Sequence, residues 1–295
     1  MSQLKAIKTR IQSIESTKKI TAAMKLVSSS YFKRAETALK DALPFTQSLT
    51  NTIDTILHNK TVKEFPLIRG GKGKHHTLIL VAGNRGLCGG FNMNIGRLAN
   101  TEIVRLQKEG CTVSLVCFGE KAQLGLKKDY KSLVVKHITP TDKDPWVYAA
   151  TIMEDVIKNL LSGTADQCSF IYTAFQSMLL STVKSHQVLP YTHSLLENNK
   201  NFRTDKTKTP PLLFGVEPNY TALLKRTAQM HLKSQLYFAM LESRASEESA
   251  RMVAMDGATK NSEDMLTKLY VTYNRNRQAT ITRELIEIIA GAESI

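Results

Sequence analysis

Residues 4–31 read LKAIKTRIQSIESTKKITAAMKLVSSSY, and the spacing of their apolar side chains decides the architecture. Leu4, Ile7, Ile11 and Ile14 recur by threes and fours, the seam of a coiled coil. A second run, Ile20, Met24, Val27 and Tyr31, keeps that spacing but is offset by one residue, which predicts a register slip between Ile14 and Ile20. Ser28, Ser29 and Ser30 supply small side chains for close packing. The first 58 residues hold no glycine and one proline, Pro44, so a helix is predicted over 1–58 with a kink or an end at that proline. Its first 42 residues alone would extend about 60 Å, which calls for an equally long partner.

The partner stands at the other terminus. After Pro218 there is no proline, and the glycines are Gly257 and Gly291. Apolar positions recur at Leu232, Leu236 and Ala239, at Leu266, Leu269 and Tyr273, and at Ile281, Leu285 and Ile288. A continuous helix of about 70 residues spans roughly 105 Å, so its far end outruns the first helix. No third long helix is available to complete a bundle. Segments 1–58 and 217–295 are therefore predicted to form an intramolecular antiparallel coiled coil, a shaft.

Between them the pattern changes. Short aliphatic runs at Thr77–Ala82, Thr112–Phe118, Leu133–Ile138 and Ser169–Phe175 read as strands. Helical stretches fill Asn92–Lys108, Glu120–Lys127 and Pro145–Leu161. The alternation predicts an α/β domain over 77–197, Rossmann-like with a mostly parallel sheet. A basic linker, 59–76, precedes it and a polar linker, 198–216, follows it.

The first strand runs into Gly83-Asn-Arg-Gly-Leu-Cys-Gly-Gly-Phe91. A glycine-rich turn from strand to helix can offer N–H groups to phosphate. Gly83, Gly86, Gly89 and Gly90 match neither usual fingerprint. No lysine and hydroxyl follow as in a P-loop, and Arg85 stands where a dinucleotide loop needs glycine. The loop is read as structural, and no cofactor is assigned.

Paired carboxylates Glu247/Glu248 and Glu284/Glu287 read as a solvated helix face. Cys88, Cys111, Cys117 and Cys168 lack metal or disulfide spacing and read as buried free thiols of a reducing compartment. No catalytic constellation and no metal site is assigned.

The net charge of +14 favours an acidic partner in general. Residues 1–58 carry +5 and residues 217–295 balance, leaving +9 to the middle. Much of the excess sits in Arg69–His76 and Lys200–Lys208, read as solvated loops because aromatic residues barely interleave them. The longest apolar run, near Leu78–Gly83, is far too short to cross a membrane as a helix.

Two long segments resemble the gamma-subunit family of rotary F-type ATP synthases. One is Ile11-Gln-Ser-Ile-Glu-Ser-Thr-Lys-Lys-Ile-Thr-Ala-Ala-Met-Lys-Leu-Val27. The other comprises Ala250-Arg-Met-Val-Ala-Met-Asp256 and Tyr273-Asn-Arg-Asn-Arg-Gln-Ala-Thr-Ile-Thr-Arg-Glu-Leu-Ile-Glu-Ile288. The glycine loop is similar to the loop after that family's first strand. The resemblance implies a non-catalytic rotor shaft inside a ring of alpha and beta subunits. It implies a foot joined to epsilon (delta in mitochondria) and the membrane c-ring, with no nucleic acid. By matching position, Lys18, Lys19, Ile20, Met24 and Lys25, with Arg275, Arg277 and Gln278, are the expected beta-subunit contacts.

Two departures stand out. Gly257 costs about 1 kcal/mol against alanine inside a helix and marks a soft spot. Glu293 and Ser294 replace a small apolar tip, so the end is expected to fray or protrude into water, with Glu293→Ala silent in assembly and ATPase rate.

A methionine directly before the helix suggests a peripheral protein on the cytoplasmic face of a bacterial inner membrane. The matrix side of the mitochondrial inner membrane is the alternative. Two competing readings are a basic coiled-coil protein binding nucleic acid or anionic membrane through 59–76 and 200–208, and a nucleotide-dependent enzyme using Gly83–Gly90.

Overall fold

The computed structural model describes residues 2–57, 67, 71, 73–141, 144–191 and 220–293. Lys200–Lys208, the whole of 198–216, most of 59–70 and the side chains at the Glu293–Ser294 tip lie outside the described residues. The elements are α1 (Ser2–Leu57), β1 (His75–Val81), α2 (Phe91–Lys108), β2 (Thr112–Phe118), a 3-10 turn (Lys128–Leu133), β3 (Val134–Ile138), α3 (Pro145–Leu161), β4 (Gln167–Phe175), β5 (Ser181–Leu189) and α4 (Tyr220–Glu293). They form two compact units, 1–29 with 251–295, and 30–250. Both α1 and α4 contribute to each.

In the larger unit the strand order is β3-β2-β1-β4-β5. β1 to β4 are mutually parallel and β5 returns antiparallel to β4. The mostly parallel α/β sheet matches the sequence expectation. β5 was not anticipated: its first five residues are polar or half-exposed, so it lacks the aliphatic density of the inner strands.

The helical reading of Glu120–Lys127 is corrected. That stretch turns between Gly119 (φ 102°) and Gly125 (φ 85°), both in the left-handed region where a side chain is strained. It packs so closely on α2 that a Cβ on Gly96 would lie 2.2 Å from the Leu124 carbonyl oxygen.

Alternate strand residues face opposite layers. Leu78 and Leu80 of β1 pack with Ile95, Ala99 and Ile103 of α2. Ile79, Val81 and Phe170 pack on the other side with Ile152 and Val156 of α3, Ile53 and Ile56 of α1, and Leu224 and Leu236 of α4. α1 runs unbroken through Pro44. Buried Leu39 and Ala42 before the proline and Ile53 after it hold the helix to the unit, which offsets the one hydrogen bond lost.

In the smaller unit α1 and α4 pair antiparallel. The sequence placed the second half of the seam on Ile20, Met24 and Val27, and this is corrected. Ile20 and Val27 are 60% and 53% exposed, while Thr21 and Ser28 are buried. From Ile14 the heptad continues in phase through Thr21 to Ser28, so no register slip occurs. Across the seam lie buried Met255, Ser262 and Leu266. Small hydroxyl side chains fill the contact where apolar ones were expected.

Candidate functional site

In the smaller unit polar contacts set the pairing. Lys18 Nζ lies 2.9 Å from Glu263, and Lys25 Nζ lies 2.6 Å from Asp256. Seven residues forward on α1 is thus seven back on α4, one heptad in antiparallel register. Between them the Thr21 and Thr259 hydroxyls meet at 2.8 Å. Tyr270 donates its hydroxyl to Glu15 at 2.6 Å. Asp256 also holds Lys260 at 2.9 Å. Hydrogen bonds from Lys25 and then Lys260 pull its carboxyl down to about 2.

These contacts divide the residues singled out in the sequence. Lys18 and Lys25 are engaged within the helix pair. Met24 is half-buried. Lys19, Ile20, Arg275, Arg277 and Gln278 are exposed, so their side chains are available outward. Beyond them every residue from Ile281 to Ala290 is exposed, including Ile281, Leu285, Ile286, Ile288 and Ile289. The sequence missed Asp256 and Glu263 as partners of the two lysines; their heptad spacing was the available signal.

In the larger unit the glycine loop is tied down by the protein itself. The Gly83 N–H donates to Asn92 Oδ1 at 2.9 Å, and the Asn92 amide donates to the Arg85 carbonyl and Cys88 Sγ. Gly89 takes φ 59° and Leu87 φ 62°, while Gly86 faces open space. Gly90 precedes α2, its carbonyl accepting from Asn94 N–H. Arg85 reaches outward to both long helices, its guanidinium 3.3 Å from Glu248 and 5.2 Å from the centre of the Tyr31 ring.

A doubly wound sheet ordinarily takes ligands where neighbouring strands send their chains opposite ways. Here that place lies between β1 and β4, and α4 occupies it. Ser243 Oγ donates to the Val81 carbonyl at 3.2 Å, and Ser246 Oγ donates to the Thr173 carbonyl at 3.3 Å. A cavity of about 270 Å³ beside them is lined by Asn84, Arg85, Phe118, Tyr148, Glu247 and Glu248. Glu248, read from sequence as a solvated carboxylate, is buried against Arg85. Two carboxylates beside the loop, Glu247 and Glu248, oppose a phosphate there.

A further polar cluster joins α1 to α4 within this unit. His231 is fully buried, its Nε2 3.2 Å from Thr50 Oγ1 and 3.0 Å from Gln235. The Tyr191 ring stands edge-on to it and donates its hydroxyl to Asp54. Burial, and then His186 nearby, push the imidazole down to about 3.

Comparison with known proteins agrees with this geometry. The ATP synthase family model matches residues 3–295. The ATP synthase gamma chain of Rhodospirillum rubrum is 37% identical over 302 residues, covering the whole of both chains.

The chain belongs to the ATP synthase gamma-chain family.

A second member, from Brucella anthropi, is 35% identical over 299 residues and again covers both chains fully. The structure is similar to a chain of the central stalk/c-ring structure of the Tetrahymena thermophila mitochondrial ATP synthase. The TM-score is 0.60 at 26% identity, covering 81% of this chain and 99% of that one. It shares its fold with a chain of the Euglena gracilis OSCP/F1/c-ring assembly, with a TM-score of 0.63 at 17% identity over 99% and 94%.

Proposed function

We propose that this chain, a central-stalk rotor subunit of an F-type ATP synthase, transmits rotation between the membrane c-ring and the alpha and beta subunits while catalysing nothing itself. The observation that carries the reading is the antiparallel helix pair whose cohesion consumes Lys18 and Lys25 but leaves Lys19, Ile20, Arg275, Arg277 and Gln278 outward. Two helices have no threefold symmetry. Three chemically identical beta subunits around them therefore meet different side chains, and turning the pair exchanges what each one meets. Cationic and amide groups suit acidic beta loops because an exposed ion pair forms and breaks without a large desolvation cost.

The exposed apolar end of α4 suits an enclosing collar, as five leucine and isoleucine side chains exposed within nine residues form a patch that does not suit water. Epsilon (delta in mitochondria) and the c-ring are the partners of the α/β unit. No described helix is long and apolar enough to cross a membrane. We assign the chain a peripheral place on the cytoplasmic face of a bacterial inner membrane, a reading supported by its likeness to bacterial gamma chains.

The test is purification from native membranes through an affinity tag inserted between Lys200 and Lys208. Native mass spectrometry should find one copy of this chain in an ATP-hydrolysing complex many times its own 32.9 kDa. The triple variant K19A/R275A/R277A should assemble but hydrolyse ATP with weakened coupling to ion pumping. Recovery of the chain alone would overturn the reading.

A further inference from the structure

At one edge of the larger unit β1, β2 and β3 begin and α2 ends. Lys74 and Lys108 stand there, and Lys127, Lys128 and Lys131 lie on the turn that leads into β3, with the Lys127 N–H donating to Asn100 Oδ1 partway along α2; all five are exposed. Lys74 precedes β1, its carbonyl accepts from the Thr112 N–H at 2.8 Å, and its ammonium lies 3.4 Å from where a Gly110 Cβ would stand. Lys108 closes α2 two residues before that glycine. β3 joins β2 only from Leu115 onward, so the 3-10 turn carrying Lys128 and Lys131 lies against the earlier residues of β2. Tyr130 and Leu133 of that turn pack with Leu106 and Val113 in one apolar cluster. The Lys127 ammonium sits 5.8 Å over the Tyr130 ring.

The acidic groups of this edge are already engaged. Glu102 and Glu109 both bind Arg105, at 2.9 and 2.7 Å. The Asp166 carboxylate accepts from the Gly73 and His75 N–H groups. Among the described residues Asp129 is the acid of this edge outside these contacts, and none of the five lysines enters an ion pair.

We infer that this lysine edge is a docking surface for anionic phospholipid headgroups. Recognition of a protein carboxylate is better served by the planar fork of arginine, and the one arginine here is held between two glutamates. Lysine acts as a hydrated point charge on a flexible stem. Several of them along an edge roughly 10 Å wide match a diffuse layer of phosphates, each adding to the attraction. Tyr130, apolar at its ring and polar at its tip, is the side chain favoured at a membrane–water boundary. This lipid contact stands independently of the rotor reading, because the chain alone can be tested for it.

The experiment is co-sedimentation of the full chain with vesicles of phosphatidylcholine, pure or with phosphatidylglycerol, at fixed ionic strength. Wild-type chain should bind only the anionic vesicles. K127E/K128E/K131E should lower the partition at least tenfold, and K127Q/K128Q/K131Q should lower it less, with unchanged circular dichroism. The control K5E/K8E/K33E makes the same change of charge on α1 and should lower it less than threefold. No binding by wild type, equal losses in both glutamate variants, or retention in K127E/K128E/K131E would each overturn the proposal. Displacement by 10 mM inorganic phosphate at constant ionic strength would also overturn it, reassigning the edge to free phosphate.

Discussion

Gly96 shows how one missing methyl group lets two elements of the larger unit close on each other. A Cβ there would lie 2.2 Å from the Leu124 carbonyl oxygen and 2.7 Å from the Gly125 carbonyl carbon, backbone atoms that cannot swing aside. Gly96→Ala should therefore push the 120–127 turn off α2 and lower unfolding free energy by about 1–3 kcal/mol, read by urea denaturation. An unchanged midpoint would refute this account of the close approach. The same scale governs His231. Its native pKa, about 3, lies below the ordinary value of 6.5, so the unfolded chain takes up a proton that the native fold refuses. Stability contributed by the neutral imidazole is complete above pH 6.5 and declines as pH falls toward 3, at about 1.4 kcal/mol per unit at most. Denaturation at pH 7, 5.5 and 4.5 should show that slope, and His231→Gln should flatten it. A parallel slope in the variant would place the acid sensitivity elsewhere.

At the scale of the element, the seam of the helix pair depends on phase more than on hydrophobicity. Thr21 and Thr259 meet hydroxyl to hydroxyl, so one donates to the other while the accepting hydroxyl spends its own proton on its helix, Thr21 on the Lys18 carbonyl or Thr259 on the Met255 carbonyl. Removing one hydroxyl leaves the other facing a methyl group. Removing both makes an apolar contact of the same shape. Thr21→Val alone should cost about 0.5–1.5 kcal/mol, and T21V/T259V should recover much of that. Additive losses in a double-mutant cycle would show that the two hydroxyls do not interact. The sequence could not reveal this pairing. Ile20, Met24 and Val27 carry the stronger hydrophobic signal, yet the partner helix selects the face in phase with Ile11 and Ile14. Likewise Glu120–Lys127 has helical spacing, but positive-φ glycines at both sides and the close approach to Gly96 make it a turn.

For the whole molecule, the apolar end of α4 separates folding from assembly. Residues 281–290 are exposed along their length, so deleting the chain from 284 onward removes little buried surface among the described residues. Thermal unfolding of the isolated chain should keep its midpoint within a few degrees. Assembly with the alpha and beta subunits, measured by native mass spectrometry and hydrolysis rate, should fall. A large loss of midpoint would mean that the end packs on the chain itself. Preserved assembly with full coupling would remove the enclosing collar from the mechanism.

Local sequence alone determined the long terminal helices, the four parallel strands and the glycine turn. Their signals are apolar period, aliphatic runs and the placing of Gly and Pro, all of which act over a few residues. Tertiary structure decided which helical face is buried, that α4 fills the ligand crevice, and that Glu248 lies buried against Arg85. Each of these depends on side chains far apart in sequence. Helical periodicity locates a side chain around its own axis, but only the phase of the partner determines whether that direction leads into a seam or into solvent.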